Sequence, residues 1–459
     1  MSNRPLGGQS SVSRQAIGDA EYVRRFFEAA PDRTFAVERI IAQGSWGYTL
    51  LMTMKTNDTP QSRPTQAPSQ APGLQPLPSL SDSFQSLSIS NPITRLFRPS
   101  EGDPASSFGR GSFGFAPQLP RPPRPPRRPE SVTRFVLKRS LAEVGEKNIT
   151  KEIDALDRLR GYTHFAQPSH VLEDTRWQTV SQALKGPTLL MDWVENGLLW
   201  AFYEKRSVID APLPNRLLWS LFLCLCRMVV GLAWPARDLG GRPGGASGSE
   251  VIPAPNERGE RPPKSRLLHG DFHAQNIMID TVEPTEHRFI PVLKLIDFGM
   301  SRDLPVRPNE PEGLVVKTNI RAIGEVMLGL LRGNIKGGPG MMEITYKGET
   351  RAINSYATDL DRLSNRYRAP AYMVAEHQER IDNLDPEIRS LVALCVAVRP
   401  EDRPDIEDLL GIVEEKARNK KRDDYLSYKY SDNETEAAIR HIVERYMFDA
   451  DRVAPGFLA

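Results

Sequence analysis

The sequence predicts an α+β fold in which a small antiparallel sheet comes first and a larger helical body follows. Three observations predict it. β-like runs at residues 35–42, 47–54 and 132–138 lie early in the chain, around glycine turns and with β-branched or aromatic content. Helical periodicity dominates from about residue 198 onward. Strand-rich and helix-rich parts follow one another instead of alternating, which separates an α+β chain from an α/β one.

The 459 residues carry 60 basic and 58 acidic side chains, a formal net charge of +2, and 39% hydrophobic residues. A substantial core is available, and no overall charge drives binding to nucleic acid. The three cysteines, Cys224, Cys226 and Cys395, show neither a disulfide framework nor zinc spacing. They read as small buried hydrophobes in a reducing compartment, cytoplasmic or nuclear.

Residues 1–21 read as a polar tail without the apolar core of a signal peptide. A small lobe is expected over 22–194. It is interrupted at 56–130, which holds sixteen of the 39 prolines with many Ser and Gln and is expected to be disordered. Within that insertion, 120–129 (PRPPRPPRRP) fits a polyproline II ligand for an SH3-type partner. A helix over 143–159 follows, with Ile149, Ile153 and Leu156 on one face, and then a strand hairpin over 177–193 turning at 185–187. A larger helical lobe is expected over 195–418, with a surface-loop insertion at 238–264 and helices at 320–331, 386–397 and 406–417. A helical extension, 419–459, ends the chain, with its helix over 434–448. The apolar run 217–234 carries Arg227 at its centre and reads as a buried helix, not a membrane span, because a charge at mid-bilayer is costly.

The chemistry concentrates in two short segments. His269-Gly270-Asp271-Phe272-His273-Ala274-Gln275-Asn276 is followed about twenty residues later by Ile296-Asp297-Phe298-Gly299. Phosphoryl transfer needs one carboxylate to orient the attacking hydroxyl and accept its proton. It also needs a second carboxylate and an amide oxygen to hold Mg²⁺ on the phosphates. Asp271, Asp297 and Asn276 supply those three groups in that order.

The two motifs together resemble the catalytic core of the protein-kinase superfamily. The resemblance spans roughly residues 35–415 and implies a bilobal fold, small antiparallel-sheet lobe first, that binds ATP and Mg²⁺. It implies Asp271 as catalytic base, with Asn276 and Asp297 as metal ligands. Residues 41–48, with Gly44, Ser45 and Gly47, are similar to the glycine-rich loop over the phosphates. Phe135-Val136-Leu137-Lys138 resembles the strand whose lysine grips them. Glu152 then pairs with Lys138 and is preferred over Glu146, because Ile149, Ile153 and Leu156 turn its side of the helix inward. Residues 189–197 look like the hinge, placing Met191 behind adenine and the backbone of Asp192 and Val194 on its edge. Asn319 stands where the family usually has Asp, and Arg403 is expected in a buried ion pair.

Three departures bear on the acceptor. Gly270 replaces the arginine that reads a phosphorylated activation loop. His273 makes HGDxHxxN similar to aminoglycoside- and choline-type small-molecule kinases. The stretch from Gly299 to Asn319 is short, with Glu310-Pro311-Glu312 a weak stand-in for the family's Ala-Pro-Glu. A hydroxyl on a protein is the first expectation for the unknown acceptor. A small-molecule kinase and a nucleotide-binding scaffold without turnover are the alternatives. No membrane or nucleic-acid partner is expected.

Overall fold

The computed structural model describes residues 11–29, 34–43, 47–55, 132–140, 143–182, 184, 186–206, 211–240, 250–283, 286–311, 313–332, 338–361 and 371–448. The insertion 56–130, with its SH3-type motif at 120–129, and the glycine-loop residues Gly44 and Ser45 lie outside them.

The chain is a mixed α+β fold with small antiparallel sheets. Helix α1 (Ser11–Glu28) leads into β1 (Phe35–Gln43), β2 (Gly47–Lys55) and β3 (Val132–Ser140); α2 (Glu143–Arg158) and α3 (Thr175–Ser181) follow, then β4 (Thr188–Asp192). The four strands form one antiparallel sheet in the order β1-β2-β3-β4. Neighbouring residues point to opposite faces of a strand, and both faces of this sheet are covered. Phe135, Leu137 and Leu190 join Val23 and Phe27 of α1 and Trp177 of α3 in one apolar cluster. Val136, Leu189 and Met191 point into the larger one.

Helices α4 (Leu199–Arg206) and α5 (Asn215–Ala233) come next, then the short β5 (Leu267–Leu268), the hairpin β6 (Ile277–Glu283) and β7 (His287–Leu295), and β8 (Arg302–Asp303). The chain continues through α6 (Leu314–Arg332), the hairpin β9 (Gly340–Tyr346) and β10 (Glu349–Ser355), α7 (Ala371–Asp382), α8 (Pro386–Cys395), α9 (Ile406–Asn419) and α10 (Glu436–Ile442). Helix α5 is the axis of the larger core. It is long and apolar enough to cross a membrane, and 89% of its apolar window is buried within the protein. Arg227, at its centre, is buried against Glu286 and Glu414 at 2.7 and 3.2 Å.

Several expectations are corrected. The predicted hairpin over 177–193 is a strand only at 188–192. Its first half is α3, nucleated by Asp174, whose carboxylate accepts from the Arg176 amide at 2.8 Å and caps the helix. The 1–21 tail boundary cuts through α1, where Ala20, Val23 and Phe27 are buried and Asp19 accepts from Tyr48 Oη at 2.7 Å. The region from 340 to 355, read as helical, is a hairpin whose turn residues Lys347 and Gly348 have φ of 52° and 82°. Those angles suit a two-residue turn matched to strand twist. The described part of the 238–264 insertion is anchored: Glu250 is fully buried, and Trp234 Nε1 donates to the Pro262 carbonyl at 3.0 Å. One expectation holds: the amphipathic helix of the extension beyond 418 packs on the larger core through Ile439, Ile442, Val443 and Met447. Glu434, 1% exposed, accepts from the Asn215 and Arg216 amides at 2.6 and 3.0 Å and so caps the start of α5.

Candidate active site

Lys138, on β3, is the centre of the site. Its Nζ lies 2.6 Å from Glu152 Oε2 on α2 and 2.8 Å from Asp297 Oδ1. Glu152 is 1% exposed, and its Oε1 is buried without a hydrogen-bond partner. Glu146, the other candidate, is exposed. Burial disfavours the charged ammonium of Lys138, but the two carboxylates outweigh it and raise the lysine pKa above its ordinary value. Burial likewise opposes ionisation of Asp297, and Lys138 prevails there too, holding the carboxyl below its usual range. Asp297 adopts φ 61° and ψ 75°, a left-handed conformation uncommon for a residue with a side chain and concentrated at functional sites. Its carboxylate also accepts from the Gly299 amide at 3.4 Å.

Asp271 lies on the loop between β5 and β6. Its Oδ2 accepts from Asn276 Nδ2 at 2.9 Å, and His273 Nε2 is 3.1 Å from its Oδ1. The carboxylate remains 45% exposed, so it is reachable from solvent. Asn276 also holds the Asp271 carbonyl at 2.8 Å, while its own carbonyl accepts from the Ile296 amide at 2.9 Å. These bonds bring the Asp271 loop beside the residue that precedes Asp297.

His269 ties the same two segments together. Its Nδ1 accepts from the Asp271 amide at 3.3 Å, so the neutral ring carries its proton on Nε2 and donates to the Ile296 carbonyl at 3.1 Å. Burial lowers its pKa to about 4, fixing the neutral form. From α6, Asn319 accepts from the His269 amide at 3.5 Å and donates to the Leu267 carbonyl at 3.0 Å. An amide that both accepts and donates can brace the loop where a carboxylate could only accept. Sequence reasoning gave His269 no such role. Its position two residues before Asp271, in a run that turns at Gly270, was the available signal.

Gly270 has φ 82°, and a Cβ there would fall 2.5 Å from the Met300 carbonyl oxygen. The position excludes an arginine in this backbone, whatever the loop's phosphorylation state. Gly47 has a similar packing reason, since a Cβ there would fall 2.1 Å from the Arg139 carbonyl of β3. Met191 and Val194 are buried, and Met191 lies opposite Val136 of β3. The Asp192 amide donates to the Gln167 carbonyl at 3.0 Å, so it is not open to a ligand. The Val194 amide has no acceptor among the described residues.

Arg403 is buried, and among the described residues no carboxylate pairs with it: its guanidinium donates to the carbonyls of Ala397, Lys317 and Val398 at 3.0, 3.1 and 3.4 Å. Glu310, the first residue of the Glu310-Pro311-Glu312 stretch, pairs with Arg266 at 2.7 Å, and Glu312 lies outside the described residues.

The donor set suits a hard cation. Asp297 offers a carboxylate and Asn276 an amide oxygen, the oxygen ligands that Mg²⁺ takes in nucleotide sites. No family model matches the sequence, and no curated protein matches it.

Proposed function

We propose that the chain is an ATP- and Mg²⁺-dependent phosphotransferase with a bilobal protein-kinase-like fold, transferring the γ-phosphate to a hydroxyl. The observation that carries this reading is the position of Lys138 Nζ, bonded at once to Glu152 and Asp297. A lysine held in that way projects its charge where nucleotide phosphates bind beside a metal carboxylate. Mg²⁺, when bound, neutralises charge on the phosphates. Asp297 and Asn276 would hold it. Asp271 orients the acceptor hydroxyl and takes its proton. Met191, Asp192 and Val194 receive the adenine, through the Asp192 carbonyl and the Val194 amide.

A protein hydroxyl is the first reading of the acceptor. A small molecule is the second, favoured by the segment between Gly299 and α6. That segment is short, and Arg266 fastens it by donating to the Leu304 and Pro305 carbonyls and pairing with Glu310.

The test is phosphate transfer from ATP with Mg²⁺, to the protein itself, to a generic basic protein and to a panel of hydroxylated metabolites. Asp271→Ala should lower transfer about 10²–10⁴-fold while sparing nucleotide binding. An Asp271→Ala variant as active as the wild type would overturn the assignment. A wild type with no Mg²⁺-dependent thermal shift on adding ATP would overturn the function.

A further inference from the structure

His164, Cys224 and His287 converge in the larger core, and none of them belongs to the constellation around Lys138. They are 0%, 0% and 3% exposed. One ligand-capable atom from each lies within 4.8 Å of the other two, and no other such trio occurs among the described residues. His164 Nε2 and His287 Nε2 are 3.2 Å apart, and Cys224 Sγ is 3.6 Å from His287 Nδ1. The three come from separate elements: the segment after α2, the middle of α5 and the start of β7.

Two glutamates surround them. Glu250 is fully buried. One of its oxygens accepts from the His164 amide at 2.8 Å, and the other lies 2.6 Å from His164 Nδ1. That contact places the ring proton on Nδ1 and leaves Nε2 facing the cluster with a free lone pair, the arrangement usual for metal-binding histidines. Glu286 gives Oε1 to Arg227 at 2.7 Å. Its Oε2 is buried, has no hydrogen-bond partner, and lies 3.5 Å from His287 Nε2.

Hydrogen bonding alone accounts for part of this. His287 can donate from Nε2 to His164 Nε2, and the Cys224 thiol can donate to His287 Nδ1. Glu286 Oε2 then stays orphaned. Arg227 donates to the backbone carbonyl of Glu250 at 2.8 Å and pairs with Glu286 and Glu414, and Glu414 also pairs with Arg418 at 2.8 Å. A buried carboxylate oxygen left without a hydrogen-bond partner is unfavourable in a core.

We propose that this cluster is a zinc site. Cys224 Sγ, His164 Nε2 and one ring nitrogen of His287 hold a single Zn²⁺, and Glu286 Oε2, outside that trio but 3.5 Å from His287 Nε2, moves in as the fourth ligand, with Glu250 and Arg227 as the hydrogen-bonding shell behind them. Thiolate and imidazole together select zinc over magnesium or calcium. Tetrahedral bonds of about 2.0 Å to nitrogen and about 2.3 Å to sulfur set ligand atoms roughly 3.3–3.6 Å apart. The 3.2 and 3.6 Å contacts fall on opposite ring nitrogens of His287, so one of them is a ligand-to-ligand spacing of this size, and the remaining pairs of the trio lie within 4.8 Å. Four protein ligands close the coordination sphere, so the ion is structural: it fastens the segment after α2, helix α5 and the β6–β7 hairpin to one another.

The test uses the full chain purified without added metal or chelator. Elemental analysis should find about one zinc per chain, and replacement by Co²⁺ should give the thiolate charge-transfer and visible bands of tetrahedral cobalt. Cys224→Ser should abolish the charge-transfer band. Glu250→Gln should weaken zinc about 10–100-fold in chelator competition while keeping the stoichiometry at saturation. A folded wild type with no bound zinc and no cobalt spectrum would overturn the site. So would a Cys224→Ser variant that retains the charge-transfer band. Should Cys224→Ser fail to fold, the metal content and cobalt spectrum of the wild type decide the matter alone.

Discussion

Lys138 and Glu152 form a pair in which the carboxylate is 1% exposed and the lysine side chain 22%. Removing the lysine alone strands a buried carboxylate. Lys138→Met should therefore lower unfolding free energy by about 1–3 kcal/mol, below the cost of breaking a fully enclosed pair because solvent screens the lysine. The double variant Lys138→Met with Glu152→Gln should recover much of that stability and none of the transfer. Urea midpoints and phosphate incorporation, measured together, separate the two effects. Gly270→Ala places a side chain in a left-handed backbone and against the Met300 carbonyl. It should cost roughly 1–3 kcal/mol, read as a lowered urea midpoint. His269 gives a pH signature. Its folded pKa of about 4 lies below the ordinary 6.5, so the unfolded chain binds a proton between those values and the folded one does not. Its contribution is fully present above about 6.5 and is lost as pH falls towards 4, on the order of 3 kcal/mol in all. The stability difference between wild type and His269→Gln, followed by urea titration across pH 4–7, should shrink as pH falls. A difference independent of pH would remove this account.

Helix α5 shows how one element depends on residues far from it in sequence. Its first amides would be unsatisfied inside the core, and Glu434 satisfies two of them while also accepting from Asn215 Nδ2 at 3.1 Å. Glu434→Ala should cost about 1–2 kcal/mol, measured by chemical denaturation, and truncation before residue 420 should destabilise the chain at least as much. At its other end α5 is held by Trp234, whose ring donates to the Pro262 carbonyl. The β9–β10 hairpin is the element that periodicity alone missed. Met342 and Ile344 are buried while Met341, Glu343 and Thr345 are exposed, and Lys347-Gly348 makes the turn. That alternation was present in the sequence but was overridden by the helical patterns on either side.

At the scale of the whole molecule, the local groupings were readable in the sequence and the long-range partners were not. Strands β1 to β3, the helix carrying Glu152, the spacing of Asp271, Asn276 and Asp297, and the burial of the apolar run 217–234 follow from periodicity, side-chain shape and short-range spacing. Each of these is decided within a few residues of the position concerned. Three-dimensional packing alone decided that Arg403 bonds carbonyls, that Glu434 caps α5, and that Cys224, within the apolar core, also meets two histidines. Partners separated by tens to hundreds of positions leave no periodic trace. They are chosen by which buried charges and orphaned amides must be satisfied once the core has closed.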